Sequence, residues 1–138
     1  MNKKINIKDF NWEGKKILIV EDDYPSFVFL NTLIGYARGT TIHIQDGKEA
    51  IDYCSGNDVD LILMDIQLPG ISGFEATQKI KKIKPYIPII AQTAFALKGE
   101  KEKSLEAGCD DYITKPIDKN NLVELINKYL MGGLAVSG

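Results

Sequence analysis

The sequence predicts an α/β domain with a doubly wound, five-stranded parallel sheet. Two observations predict it. Short runs rich in β-branched and aliphatic residues recur along the chain, and each is followed by a stretch with helical periodicity. Alternation of this kind places helices on both faces of a parallel sheet. Right-handed crossovers then leave few topologies, of which the flavodoxin-like order 2-1-3-4-5 is the expected one.

The elements follow in order. Lys16 to Val20, KILIV, reads as a strand buried on both faces. Tyr24 to Arg38 carries Phe27, Leu30, Ile34 and Ala37 on one stripe, with Gly39 as its stop. Thr40 to Gln45 alternates as a strand. Asp46 is placed to cap a short helix bearing Ala50, Ile51 and Cys54, ended by Gly56. Asp60 to Met64 is the third strand. Ser72 opens a helix in which Phe74, Thr77, Ile80 and Ile83 recur, closed by Pro85 and Pro88. Ile87 to Gln92 is the fourth strand, and the charged segment Lys98 to Glu106, ending at Gly108, is a helix anchored chiefly by Leu97 and Leu105. Asp110 to Thr114 is the last strand, and Asp118 opens a helix with Leu122, Leu125, Ile126 and Tyr129 on one face.

These elements divide the chain into a lead-in over residues 1–15, a domain over 16–130 and a loosely held tail over 131–138, MGGLAVSG. Trp12 stands in the lead-in as a candidate to pin it to the domain surface. The chain of 138 residues is the size of one domain with a real core. A net charge of −2 offers no basic footprint for nucleic acid and no polybasic signal for a membrane. No apolar run is long enough to span a bilayer, and residues 1–16 lack the apolar stretch of a signal peptide. The expectation is a cytoplasmic domain without direct nucleic-acid or membrane contact. Cys54 and Cys109 have no CxxC partner and read as buried or half-buried thiols in a reducing compartment. The one histidine, His43, reads as a strand residue facing partly to water.

In a doubly wound sheet the site lies beyond the carboxyl ends of the strands, where the strand order reverses. Here that point falls between the first and third strands. The first is followed by Glu21-Asp22-Asp23 and the third by Asp65. Converging carboxylates repel, and each holds its proton more tightly unless a positive group intervenes. A hard divalent cation meets that need, and Mg²⁺ binds through one or two carboxylates plus phosphate oxygens. The acids also argue against a nucleotide or flavin, because that fold would want a Gly- or Ser/Thr-rich loop where EDDYP stands. The fourth strand runs out at Thr93-Ala94 and the fifth at Lys115-Pro116, so a hydroxyl and an ammonium point toward the same pocket.

Four fragments, ILIVEDD at 17–23, LILMDIQLPGISGFE at 61–75, IIAQTAFA at 89–96 and DDYITKPI at 110–117, resemble the receiver domain of two-component response regulators. The resemblance runs from about Lys15 to Leu130. It implies a phosphoacceptor at Asp65, charged by a phosphohistidine or a small acyl phosphate. It implies Mg²⁺ held by Asp22, Asp65 and the backbone carbonyl of Gln67, with Glu21 acting through water. Thr93 and Lys115 match the family's hydroxyl and lysine, Tyr112 its aromatic switch, and the Lys115–Pro116 bond is expected to be cis. Two positions depart from the commonest pattern: the acidic pair begins with Glu21 rather than Asp, and Asp23 is an extra acid expected to be a solvated cap. Phe95 and Gln67 flank the site and are expected to tune access of water.

The implied partners are a histidine kinase or a histidine phosphotransfer protein, with a downstream protein reading the switched surface. The chain is expected to catalyse only its own phosphorylation and dephosphorylation. The approach NWEGKKILIVEDD resembles that of receivers at the C-terminus of hybrid sensor histidine kinases, the favoured origin, with a stand-alone regulator as the alternative. An Mg²⁺ phosphatase of the haloacid dehalogenase type is the remote alternative. It wants a second aspartate two residues after Asp65, where Gln67 stands.

Overall fold

The computed structural model describes residues 5–94 and 99–132. Its sheet holds β1 (Lys16–Val20), β2 (Thr40–Ile44), β3 (Leu61–Asp65), β4 (Ile89–Thr93) and β5 (Asp111–Thr114) in the order β2-β1-β3-β4-β5, all pairs parallel. The helices between them are α1 (Tyr24–Tyr36), α2 (Gly47–Gly56), α3 (Gly73–Ile83), α4 (Glu100–Glu106) and α5 (Lys119–Leu130). The expected topology is therefore the one present. Every residue of β3 and β4 is buried, as the unbroken apolar runs require of central strands covered on both faces.

Side chains that alternate along the strands feed two cores. One lies between the sheet and α1 with α5, where Ile17, Ile19, Leu61, Leu63, Ile90 and Ile113 meet Leu30, Ile34, Leu122 and Ile126. The other lies over α2 and α3, where Leu18, Val20, Ile62, Met64 and Ala91 meet Ala50, Cys54, Ala76 and Ile80. Both cysteines are free and buried.

Four helices start on side-chain caps that the sequence supplies. Asp23 accepts from Ser26 N, Asp46 from Glu49 N, Ser72 from Glu75 N, and Asp118 from Asn120 N and Asn121 N. In α1 the stop differs from the expected one. Arg38, not Gly39, takes the left-handed conformation (φ 67°), and its guanidinium reaches back to Phe10 O at 2.6 Å. In α3 the buried face includes Ala76, Thr77 and Ile80, while Ile83, the last residue of the helix, is exposed. In α4 the buried side chain is Ser104 and Leu105 is exposed; Leu97, the other expected anchor, lies outside the described residues with Phe95.

Residues before β1 enter the core. Trp12 is fully buried beside Phe10, its N–H bonds Ala37 O at 2.7 Å, and its indole Nε1 donates to Asn127 Oδ1 of α5 at 3.0 Å. The segment thus closes the amino-terminal edge of the sheet, the edge opposite the acids. Of the tail at 131–138, only residues 131 and 132 are described.

Candidate functional site

The site forms where strand ends align. β1 and β3 are neighbours in register, Val20 opposite Met64, so the next residues, Glu21 and Asp65, emerge side by side. Asp22 follows on the loop. Ligand oxygens of Glu21, Asp22 and Asp65 lie within 4.8 Å of one another. Glu21 and Asp65 are buried and Asp22 is exposed, so the cluster meets solvent at Asp22. Asp23 is an exposed N-cap outside the cluster, as expected.

Lys115 reaches the acids from the far side of the sheet. Its Nζ is 3.2 Å from Glu21 Oε1 and 3.6 Å from Asp65 Oδ2. Its N–H donates to Thr93 O at 2.7 Å, which ties the loop after β5 to the end of β4. The Lys115–Pro116 bond is cis. Asp65 Oδ1 accepts from Gln67 N at 2.9 Å, and Glu21 Oε2 accepts from Asp23 N at 3.2 Å. Glycine at 73 is required by close packing here. A Cβ on it would strike the Asp65 carbonyl oxygen and come within 2.7 Å of Ile66 Cα.

The electrostatics show one ammonium against three acids. Burial, a hydrogen bond with Asp65 and the charge of Asp65 push Glu21 up to about 7, against the opposing pull of Lys115. Burial works against the charge on Lys115, yet Asp65 and Glu21 together hold it above the ordinary lysine range. A cluster that retains a proton at neutral pH is short of positive charge. An all-oxygen donor set with one solvent-facing carboxylate is the chemistry of a hard cation such as Mg²⁺, which keeps part of its water shell. The residues present therefore fit the ion.

Of the residues named from the sequence, Glu21, Asp22, Asp65 and Lys115 are brought together, with Gln67 joined through its backbone N–H. Thr93 is buried at the end of β4. Tyr112 is half-buried in β5, packed on the α2–α3 side of the sheet. His43 was not marked for this region, yet its Nε2 lies 2.8 Å from Glu21 O and its ring stacks on Phe27 at 3.8 Å and 4°. No local signal in the sequence carries this, because the contact joins the sheet edge to a loop 22 residues away.

Comparison with known proteins agrees with this geometry. The model of the response regulator receiver domain matches residues 17–127. The polar-differentiation response regulator DivK of Brucella ovis is 42% identical over 118 residues, covering 84% of this chain and 96% of that protein. Hybrid signal transduction histidine kinase I of Dictyostelium discoideum is 46% identical over 123 residues, 82% of this chain but 7% of that much longer protein. Among solved structures, the receiver domain of the sensor histidine kinase PA1611 of Pseudomonas aeruginosa, which has a magnesium ion in its active-site cleft, superposes with TM-score 0.80 at 32% identity, covering 86% of this chain and 98% of that one. A chain from the co-crystal of the yeast histidine phosphotransfer protein Ypd1 with the Ssk1 receiver domain superposes with TM-score 0.80 at 28% identity, covering 91% and 96%. Among the described residues, no helix is long and apolar enough to cross a membrane. With its fold, its acidic cluster and these relatives in agreement, the chain belongs to the response regulator receiver family and is a receiver domain of phosphorelay signalling.

Proposed function

We propose that Asp65 is the phosphoacceptor of this receiver. The observation that carries the reading is the position of Lys115 Nζ, 3.2 Å from Glu21 and 3.6 Å from Asp65, at the mouth of a three-carboxylate cluster. Asp65 keeps one oxygen on Gln67 N–H and turns the other toward Lys115. That second oxygen attacks phosphorus in line, the bond to the donor's nitrogen or acyl oxygen breaks, and an aspartyl phosphate remains. Lys115 transfers its pairing from the carboxylate to a phosphoryl oxygen, where a compact ammonium serves as a point charge. Mg²⁺, when bound, neutralises the remaining charge on the phosphoryl oxygens. Asp22, Asp65 and the Gln67 carbonyl would hold it, with Glu21 reached through water.

The signal then passes to Thr93 and Tyr112. Thr93 bonds the phosphoryl group, Ala94 leaves room beside it, and Tyr112 turns inward, so that the β4–α4–β5 surface changes for a downstream protein. The donor is a histidine kinase or a histidine phosphotransfer protein. Its docking face is the exposed apolar ridge of Tyr24, Val28 and Phe29 on α1, beside the acidic mouth. The domain acts in the cytoplasm and turns over no substrate besides its own aspartyl phosphate. Gln67 stands where a phosphatase of the haloacid dehalogenase type needs its second aspartate, which counts against that reading.

The test is labelling by acetyl phosphate in Mg²⁺. Wild type should incorporate one phosphoryl group that alkali releases, and Asp65→Asn should incorporate none. Equal labelling of the two removes Asp65 from this role.

A further inference from the structure

β5 is an edge strand of four residues, of which only Ile113 is buried. An edge strand has a ladder on one side only, and its outer backbone groups take partners elsewhere. Asp111 provides one. Its Oδ1 accepts from Tyr112 N at 2.9 Å, and its Oδ2 accepts from the hydroxyl of Tyr129, on α5, at 3.0 Å. The register pairs Asp111 with Ile90, which places it on the α1–α5 face, while Tyr112 packs on the α2–α3 face. A single carboxylate thus joins α5 to the backbone of Tyr112.

The Tyr129 hydroxyl also lies 2.9 Å from Asp110 O, so its one proton is shared between two acceptors. Asp110 is firmly anchored. Its Oδ2 takes Lys81 Nζ from α3 at 2.7 Å and Ile89 N at 2.8 Å, and its own N–H bonds Ile89 O at 2.8 Å. The Asp111 carboxylate has, besides Tyr112 N and Tyr129, only the exposed Lys128 at 4.0 Å, a surface pair that contributes little. Tyr129 therefore bridges an anchored residue and the residue that holds Tyr112. Burial and the bond to Asp111 push the phenol up to about 12, so it remains a donor at neutral pH.

We propose that Tyr129 is a positioning residue for the switch: its hydroxyl and Asp111 latch the start of β5 in the resting arrangement, and the latch opens when Asp65 is charged. The proposal rests on the phosphoacceptor reading above. At the other end of β5, Lys115 N is bonded to Thr93 O. A shift of Lys115 and Thr93 toward a phosphoryl group therefore pulls on β5 from the site, while the latch holds its start. Bonds made in the resting state and lost in the switched one stabilise the resting state and oppose the change. The neighbouring α4 buries only Ser104 among its seven residues, so it gives little further resistance.

The test titrates Tyr129→Phe, which keeps the ring and removes the hydroxyl, with beryllium fluoride in saturating Mg²⁺. The fluoride complex stands in for the phosphoryl group on Asp65. The expected result is binding about three- to tenfold tighter than wild type, the effect of one hydrogen bond released from the resting state, with affinity for Mg²⁺ alone unchanged. Asp111→Ala should tighten the complex to a similar extent, and the double variant should go no further, since the two side chains form one latch. A hydroxyl that only supports the fold would lower the melting temperature without tightening the complex. Unchanged or weaker binding by the folded variants therefore overturns the proposal. Additive effects of the two substitutions overturn it too, since the residues then act separately. A parallel change in Mg²⁺ affinity also overturns it, since the hydroxyl then acts on the acidic site rather than on the switch. Wild type that binds Mg²⁺ but neither binds beryllium fluoride nor is labelled by acetyl phosphate defeats the phosphoacceptor reading, and the latch with it.

Discussion

His43 Nε2 lies 2.8 Å from the carbonyl oxygen of Glu21, and its ring is stacked flat on Phe27. The same residue's N–H is held by Ile44 O at 3.0 Å, so β2 grips Glu21 through both its backbone N–H and its carbonyl. The carbonyl belongs to the peptide that joins the two acids of the loop, and its orientation sets where the Asp22 carboxylate points. His43→Phe keeps the flat ring on Phe27 but has no N–H. It should weaken Mg²⁺ binding by about three- to tenfold, the effect of one hydrogen bond of about 1 kcal/mol. His43→Gln keeps a donor and should bind Mg²⁺ close to wild type. Calorimetric titration of both variants checks this, and equal weakening in the two would show that the ring rather than the N–H matters.

The raised Glu21 gives a pH dependence with a definite sign. Its carboxyl titrates at about 7 in the folded chain and near 4.5 when free, so between those values the folded state binds more protons than the unfolded one. Stability of the metal-free domain therefore falls from this group as pH rises through that window. Glu21→Gln should remove this part of the slope and raise the metal-free melting temperature at pH 8 by several degrees. Mg²⁺ must displace the same proton, so its affinity should increase from pH 6 to pH 8 in wild type and change much less in the variant. Thermal melts and metal titrations at the two pH values read both effects.

Gly73 is where the start of α3 meets the end of β3, with its N–H on Ile66 O at 3.0 Å. Gly73→Ala forces a methyl group against the Asp65 carbonyl and the Ile66 backbone. Overpacking of this kind costs about 1–3 kcal/mol. The displaced atoms carry Asp65, so the variant should lose acetyl phosphate labelling even at temperatures where its circular dichroism is native. Full labelling by a folded Gly73→Ala would show that the close approach is not needed.

Trp12 is the one tryptophan of the chain, and it lies at the amino-terminal edge of the sheet. A five-residue strand separates that edge from the acids, about 16 Å at strand rise. Its emission should be blue-shifted and should change little on adding Mg²⁺. Trp12→Ala should destabilise the domain by about 3–5 kcal/mol, as expected for removal of a fully buried indole. Chemical denaturation monitored by circular dichroism gives that value.

The sequence by itself determined the sheet order, the helix caps and four of the side chains that meet at the site. Those features are local or periodic: KILIV and LILM are short aliphatic runs that suit strands covered on both faces, Asp46 and Ser72 stand where caps belong, and alternation of strand and helix leaves one usual topology. Glu21, Asp22, Asp65 and Lys115 were legible for the same reason, because each sits at a strand end that the topology brings to one rim. Tertiary structure alone decided the rest. That Trp12 docks on Asn127, that His43 reaches Glu21, and that Arg38 rather than Gly39 turns the chain after α1 all depend on contacts between segments distant in the chain. Such contacts follow from how side chains fill the space between packed layers, and packing leaves no periodic trace in the order of residues.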